Sequence, residues 1–206
     1  HSCSPIGDGL YLVAEAGASP RILEVNAQGE IVKAIPVQTK TKRVHGQFRQ
    51  VRKTPRGTYL LAQTGERKVC EYRADGTIVR EIPVPGNPFV GLRLADGNTL
   101  IACGDGHRLI EVDTADKVVW ELSESDLPGN PLRFVAGIQR LPNGNTVVSN
   151  WGGHGHVRQQ PQIFEVTPDK QVVWQFDDKE RKQFRTIASV QILDGTATET
   201  EAGTTR

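Results

Sequence analysis

The sequence repeats itself four times, and this repeat limits the fold more than any other feature. Similar segments begin at His1, His45, Pro88 and Phe134, and a fifth begins at Thr186 with TIASVQILD and then stops. Successive segments start 43 to 52 residues apart. Periods of this length, combined with strand patterns, are typical of propeller blades.

Each complete repeat contains four short runs of β-branched and apolar residues, which we name strands A to D. In the third repeat they read VGLRL, TLIAC, LIEV and VVWEL. Glycine-containing turns such as ADGN and PNGN separate A from B, and their Asp-Gly and Asn-Gly pairs predict primed hairpin turns. The runs are too short, and too often cut by turn residues, for helices.

These strands predict an all-β fold, a β-propeller of four complete four-stranded antiparallel blades plus one strand of a further blade. The expected blades cover about residues 1–44, 45–87, 88–133 and 134–185, with the single strand at 186–194. A pair of β-sandwiches is the alternative, but sandwiches do not impose this period.

The single strand at 186–194 has no partners for a blade of its own in this sequence. We therefore expect an N-terminally truncated ring, completed by missing N-terminal strands or by another chain. Residues 195–206 are small and polar without an apolar anchor, which predicts a disordered tail.

Composition excludes several classes of protein. The formal net charge is +1, so no overall positive field favours a nucleic-acid partner. No apolar run is long enough for a transmembrane segment. The three cysteines, Cys3, Cys70 and Cys103, lack the C-x-x-C spacing of a zinc knuckle or a thioredoxin motif.

All five histidines are predicted at one end of the blades. Strands alternate in direction, so the B–C loops and the D–A connections share that end. His1 and His45 stand where strand A begins, His107 lies in the B–C loop CGDGH, and His154 and His156 lie in the B–C loop NWGGHGH. Propellers usually bind ligands over the mouth of their central channel, so this grouping favours a binding site.

Other polar and aromatic residues fall at the same end. The candidate ligand-binding residues are His1, His45, Gln47, Arg49, Asp105, His107, Arg133, Trp151, His154 and His156. Imidazoles are common zinc ligands, so His107, His154 and His156 are also the candidate ligands of a divalent metal.

Each candidate also has a purely structural interpretation. His107 is then a turn residue bonded to Asp105, and Trp151 packs between blades. The histidines of NWGGHGH are then a solvated turn, and the basic run that surrounds His45 is a solvated loop.

Several motifs carry a family resemblance over residues 1–194: LPNGNT, IEVDTADKVVWEL, IFEVTPDKQVVWQF, HGQFR and CGDGH. With them the chain resembles bacterial PQQ-like and arylsulfotransferase-like β-propellers, including surface-layer-type propeller proteins. The resemblance implies a periplasmic or extracellular location. Trp120 and Trp174 match the tryptophan that docks blades in quinoproteins, but Ala34 and Glu81 occupy that region in the first two repeats. We therefore do not expect PQQ as a cofactor.

Three functions fit these observations. The first is an extracytoplasmic propeller that binds a small polar molecule, a glycan or a protein partner on the histidine-bearing face. The second is an enzyme, a lyase, hydrolase or transferase that uses histidine and arginine near the axis, with or without a divalent metal. The third is a structural scaffold.

Overall fold

The computed structural model describes residues 2–127, 129, 132–180 and 183–193. Within them the chain forms sixteen strands, one short helix, α1 (Val44–Gln47), and two 3-10 turns, Thr64–Glu66 and Glu124–Asp126. No helix in this part of the chain is long and apolar enough to cross a membrane.

The strands form four sheets of four strands each. The first contains β1 (Ser2–Pro5), β2 (Leu10–Glu15), β3 (Arg21–Asn26) and β4 (Ile31–Pro36). The second contains β5 (Val51–Lys53), β6 (Tyr59–Gln63), β7 (Lys68–Tyr72) and β8 (Ile78–Pro83). The third contains β9 (Val90–Arg93), β10 (Thr99–Ala102), β11 (Arg108–Val112) and β12 (Val118–Ser123). The fourth contains β13 (Val135–Arg140), β14 (Thr146–Asn150), β15 (Ile163–Val166) and β16 (Val172–Phe176).

Neighbouring strands in each sheet are consecutive along the chain, and the paired strands run antiparallel. This simple meander is the topology of a propeller blade. The prediction of an all-β fold with four antiparallel four-stranded blades is confirmed.

The described residues divide into two compact units, residues 2–93 and residues 94–193. The first unit contains the first two blades and strand β9. Its core includes the buried side chains of Leu12, Phe48, Tyr59, Leu61 and Tyr72. The second unit contains strands β10 to β16, and its most buried strands are the inner ones, β10, β13 and β14.

The prediction of primed A–B hairpin turns fits the first blade, where the central residues Asp8 and Gly9 have positive φ, of 51° and 69°, and the Leu10 amide donates to the Gly7 carbonyl at 2.8 Å. It is wrong for the third blade. In the third blade the Leu94 amide donates to the Asn98 carbonyl, and only Gly97 in that turn has a positive φ, of 92°. A primed turn of the Asp-Gly type needs positive φ at both central residues. The observed four-residue connection needs one left-handed residue before the next strand, and glycine adopts that conformation without strain.

Every blade has an irregularity at the same point of strand C. The register of the C–D pair shifts directly after a glutamate, at Glu24, Glu71, Glu111 and Glu165. Such bulges bend a strand and increase its local twist. The repeated glutamate thus lies at the bend of strand C in each blade.

In the first three blades that glutamate forms an ion pair with the last residue of the next strand A. Lys53 Nζ lies 2.7 Å from Glu24 Oε1, and Arg93 Nη2 lies 2.5 Å from Glu71 Oε2. The side chains of Glu24 and Glu71 are only 4% and 12% exposed, so solvent screens these pairs weakly. We call this contact the inter-blade ion pair.

The second unit repeats the contact and adds a tryptophan. Arg140 Nη2 lies 2.8 Å from Glu111 Oε2, and the Arg140 guanidinium lies 6.0 Å from the centre of the Trp120 ring. Trp120 Nε1 donates to the carbonyl of Pro168, at 2.8 Å, in the C–D turn of the fourth blade. Trp120 therefore docks the outer strand of one blade on the next, whereas the equivalent Trp174 is 49% exposed.

Residues 187–193 run alongside strand β13 but do not form a β-strand. The Gly137 amide donates to the Ala188 carbonyl at 2.9 Å, which repeats the bond from the Gln50 amide to the Phe89 carbonyl between two A strands. The placement of 186–194 as the inner strand of a further blade stays a prediction. Asp194 and the predicted tail at 195–206 lie outside the described residues.

We predict that Glu24→Gln destabilises the protein and weakens its response to acid. Burial raises the pKa of Glu24, but hydrogen bonds from Lys53 and Tyr59 and the charges of Lys53 and Lys33 lower it more, so the net pKa lies below its ordinary value. A carboxylate with a lowered pKa stabilises the fold above its unfolded pKa, and this is lost as the pH falls through the folded pKa.

The variant should therefore lose about 2 kcal/mol of unfolding free energy at pH 7, because it leaves Lys53 without its charged partner. Between roughly pH 5 and pH 3 it should lose less further stability than the parent. Urea unfolding at several pH values measures both effects. Glu30→Gln, in an exposed turn, is the control, and equal losses in the two variants would contradict the role of the ion pair.

Candidate functional site

Three loops of the second unit carry six of the predicted residues, and five of these form a group at one end of its blades. The loops are the B–C loop at 103–107, the D–A connection at 124–134 and the B–C loop at 151–162. We call the resulting group the histidine cluster, and it comprises Asp105, His107, Glu124, Arg133, Trp151 and His154.

His107 is oriented by a backbone carbonyl. Its Nδ1 lies 2.8 Å from the carbonyl oxygen of Leu132. A carbonyl can only accept, so Nδ1 carries the proton, and in the neutral ring Nε2 is left as an acceptor. The prediction that His107 bonds to Asp105 is wrong, because the ring turns toward the D–A connection instead.

Glu124 links His107 to Arg133. Its Oε1 accepts from Arg133 Nη1 at 2.9 Å, and its Oε2 lies 3.6 Å from His107 Nδ1. A capping box between Ser123 and Asp126 fixes the 3-10 turn that carries Glu124. The guanidinium of Arg133 is therefore already paired with a carboxylate.

Asp105 pairs with His154 across two loops. The His154 Nδ1 lies 3.3 Å from Asp105 Oδ1, and because a carboxylate accepts, Nδ1 is again the protonated nitrogen. The side chain of His154 is 63% exposed, so its Nε2 is within reach of a ligand in solvent. This carboxylate–imidazole pair is the arrangement that orients a histidine for binding or for proton transfer.

Trp151 anchors the NWGGHGH loop. Its ring meets the edges of Phe134 and His154, with centroids 5.1 Å and 5.0 Å away. Gly153 passes directly over the same indole, since a Cβ at that position would lie 1.9 Å from a ring carbon. The tryptophan thus packs between loop and strand, as the structural interpretation predicts, and it also supports His154.

His156 lies in the same loop but bonds locally. Its Nδ1 lies 3.0 Å from Gln159 Oε1, and Gln159 Nε2 donates to the Gly155 carbonyl. Among the described residues no group of three or more His, Cys, Asp or Glu could hold a metal ion. The structure does not bring His107, His154 and His156 into such a group.

The predicted residues of the first unit have partners of their own. The Gln47 side chain is buried, accepts from the Gly17 amide at 2.8 Å and donates to the Gly17 carbonyl at 2.9 Å. Arg49 donates to the His45 carbonyl, and its Nη2 lies 3.3 Å from His45 Nε2. His1 lies outside the described residues, so the placement of all five histidines at one end of the blades stays a prediction.

Glu124 and Asn150 are the residues of this site that the sequence analysis missed. Asn150 accepts from the Arg133 amide through Oδ1 at 2.9 Å and so fixes the start of strand β13. The only signal for Glu124 is the sequence Ser-Glu-Ser-Asp after strand D, which matches a capping pattern but indicates no ligand.

The charges of the histidine cluster nearly cancel. With both imidazoles uncharged, it holds the carboxylates of Asp105 and Glu124 and the guanidinium of Arg133. Such a site offers hydrogen-bond acceptors in excess of free cationic donors. It therefore suits a neutral ligand with hydroxyl groups better than an anion.

Comparison with known proteins places the chain in a family. Residues 26–171 match the family described as Mal s 1 allergenic protein-like. The match covers more than half of the chain, so the protein belongs to this family. A comparison with curated proteins gives no match.

Solved structures support the fold. A protein of unknown function from Bacteroides caccae is 34% identical, with a TM-score of 0.79, over 88% of this chain and 67% of that chain. The WD40 β-propeller domain of Doa1 is 14% identical, with a TM-score of 0.64, over 96% of this chain and 60% of that one.

A catalytically inactive histidine-to-alanine variant of virginiamycin B lyase from Staphylococcus aureus, solved with quinupristin, is also similar. It is 14% identical, with a TM-score of 0.58, and the match covers 84% of this chain and 54% of that one. The chain thus spans about half the length of this lyase. At such identities the likeness shows the β-propeller fold alone.

We predict that Gly153→Ala displaces Trp151 from its packed position. The added methyl group would overlap the indole ring, and Phe134 and His154 limit the ring's movement. The near-ultraviolet circular dichroism of the tryptophan should change. Urea unfolding should show a loss of about 1–3 kcal/mol, as is usual for overpacking.

Gly155→Ala in the same loop is the matched control. A Cβ there meets nothing within 4 Å, although its φ of 92° is strained for alanine. This variant should lose about 1 kcal/mol and keep the tryptophan signal. A spectral change of the same size in both variants would contradict the packing of Gly153 on Trp151.

Proposed function

We propose that the protein is a binding propeller whose histidine cluster takes a small neutral ligand rich in hydroxyl groups, such as a sugar. The observation that carries the proposal is that His107 and His154 share the same tautomer. Each imidazole holds its Nδ1 proton on an oxygen, which leaves Nε2 as an acceptor on a half-exposed surface.

The charges of the cluster support this class of ligand. Glu124 already pairs with Arg133, so an anionic ligand would have to displace a carboxylate to reach the guanidinium. A hydroxyl group, in contrast, can donate to Asp105, to Glu124 or to an imidazole Nε2 without breaking that pair. Sugars present several such hydroxyls within the span of a few residues.

A second candidate is acid–base catalysis at His154. The Asp105–His154 pair favours it, because a carboxylate that holds the proton on Nδ1 fixes the tautomer in which Nε2 can accept a proton. The virginiamycin B lyase whose histidine-to-alanine variant is catalytically inactive offers only a fold analogy for such a role.

Binding and catalysis can be separated in one experiment. The protein is titrated with a panel of neutral mono- and oligosaccharides while tryptophan fluorescence is recorded, in a Trp120→Phe, Trp174→Phe background that leaves Trp151 as the reporter. Binding should change the emission, because Trp151 contacts His154. Mass spectrometry of the recovered sugars detects any cleavage.

We predict that His107→Gln and Asp105→Asn each weaken binding about tenfold or more, which corresponds to the loss of one or two hydrogen bonds. His156→Gln is the control, because its imidazole bonds only within its own loop in the described contacts. A panel without any binding, or equal losses in all three variants, would refute the proposal.

The closer kinship to PQQ-like and arylsulfotransferase-like propellers, and a periplasmic or extracellular location, stay predictions. Fractionation of cells that express the full reading frame tests the location directly.

A further inference from the structure

The longest connection of the first unit carries an unusual charge. Residues 37–50, which join strand β4 to strand β5, contain four lysines and arginines and no aspartate or glutamate. The next D–A connection, residues 84–89, has no charged residue, and residues 124–134 have two acidic residues and one arginine. We call residues 37–50 the basic connection.

From this connection we infer a second binding surface, which takes a linear acidic polysaccharide. Lys40, Lys42 and Arg43 are exposed. None of these three side chains forms an ion pair with any residue that the structure describes. Three cations without an ion-pair partner among the described residues thus lie within four consecutive residues of this D–A connection.

The carboxylate of Glu66 contacts the basic connection but is already engaged. Glu66 Oε1 accepts from the Thr39 hydroxyl at 2.6 Å and from the Lys40 amide at 2.8 Å. Its Oε2 lies 3.3 Å from Lys68 Nζ. Burial raises the pKa of Glu66, but these hydrogen bonds and the charge of Lys68 lower it more. Glu66 thus holds the backbone and leaves the lysine side chains unneutralised.

The backbone of the connection is held in place at both ends. The carbonyl of Gln38 accepts from Gln63 Nε2 at 2.6 Å and from the Tyr72 hydroxyl at 3.2 Å. Near the other end the buried Gln47 bonds twice to Gly17. A fixed backbone lowers the entropy lost when the cations bind a ligand.

The surroundings of the cations select the class of ligand. Val44 is the exposed large hydrophobic residue of the connection, and Phe48 is fully buried. Nucleic-acid sites usually provide aromatic rings for stacking, and protein interfaces need an apolar centre. This surface therefore suits neither a nucleic acid nor a protein partner. Three cations within four consecutive residues match the closely spaced charges of an acidic polysaccharide. This surface shares no residue with the histidine cluster.

The test uses the full chain and two fluorescently labelled polymers, heparin and polygalacturonate, with fluorescence anisotropy at about 50 mM salt. The variant carries Lys40→Gln, Lys42→Gln and Arg43→Gln. We expect binding of at least one polymer by the parent and a loss of about tenfold or more in the variant, with a weaker salt dependence. Binding of heparin alone assigns a sulfated ligand, and binding of polygalacturonate alone a carboxylated one.

The matched control carries Arg56→Gln, Arg73→Gln and Lys117→Gln, which remove the same charge from exposed turns between strands A and B or C and D. It should bind as the parent does. The inference is overturned if neither polymer binds, if the control loses as much affinity as the variant, or if polyaspartate or single-stranded DNA of equal charge binds as tightly as the polysaccharides. Circular dichroism checks that both triple variants remain folded.

Discussion

The inter-blade ion pair is the contact on which the packing of the blades depends. A glutamate at the bulge of strand C meets a lysine or arginine at the end of the next strand A, as in Glu71 with Arg93 and Glu111 with Arg140. Removing such charges from water is costly, and a second hydrogen bond helps to offset the cost: Thr58 donates to Glu71, and Asn98 to Glu111. Strand A follows the D–A connection, so this pair also helps to fix where each D–A connection ends.

Most of the fold could be predicted from the sequence, because a blade is a local structure. Each strand pairs with the strand before or after it, and the turns between them carry glycines that mark their place. The turn type could not be predicted, since Asp-Gly and Asn-Gly suit both primed turns and a longer turn with one left-handed residue. The ion pair was also missed, although the repeated glutamate stands in ILEV, VCEY and LIEV. Its partner belongs to the next repeat, and sequence spacing does not reveal that contact.

The sequence predicted most residues of the candidate site but not the hydrogen bonds between them. Asp105, His107, Arg133, Trp151 and His154 do lie at one end of the second unit. Which group orients each imidazole depends on the paths of three loops. A backbone carbonyl such as that of Leu132 leaves no trace in the sequence, because every residue has one. That Asp105 bonds to His154 and not to His107 is therefore known only from the structure.

The loops, rather than the blades, distinguish the binding that we propose for the two units. The blades repeat the same strands and the same ion pair, so they offer similar frames. The connection at 124–134 brings a glutamate to its arginine and leaves a nearly neutral cluster. The basic connection at 37–50 instead carries Lys40, Lys42 and Arg43, whose exposed side chains form no ion pair with a residue that the structure describes. Salt distinguishes these surfaces, because it screens exposed charges and affects hydrogen bonds to neutral hydroxyls much less. Raising the salt concentration should therefore release an acidic polysaccharide from the first unit and leave a neutral sugar bound to the second.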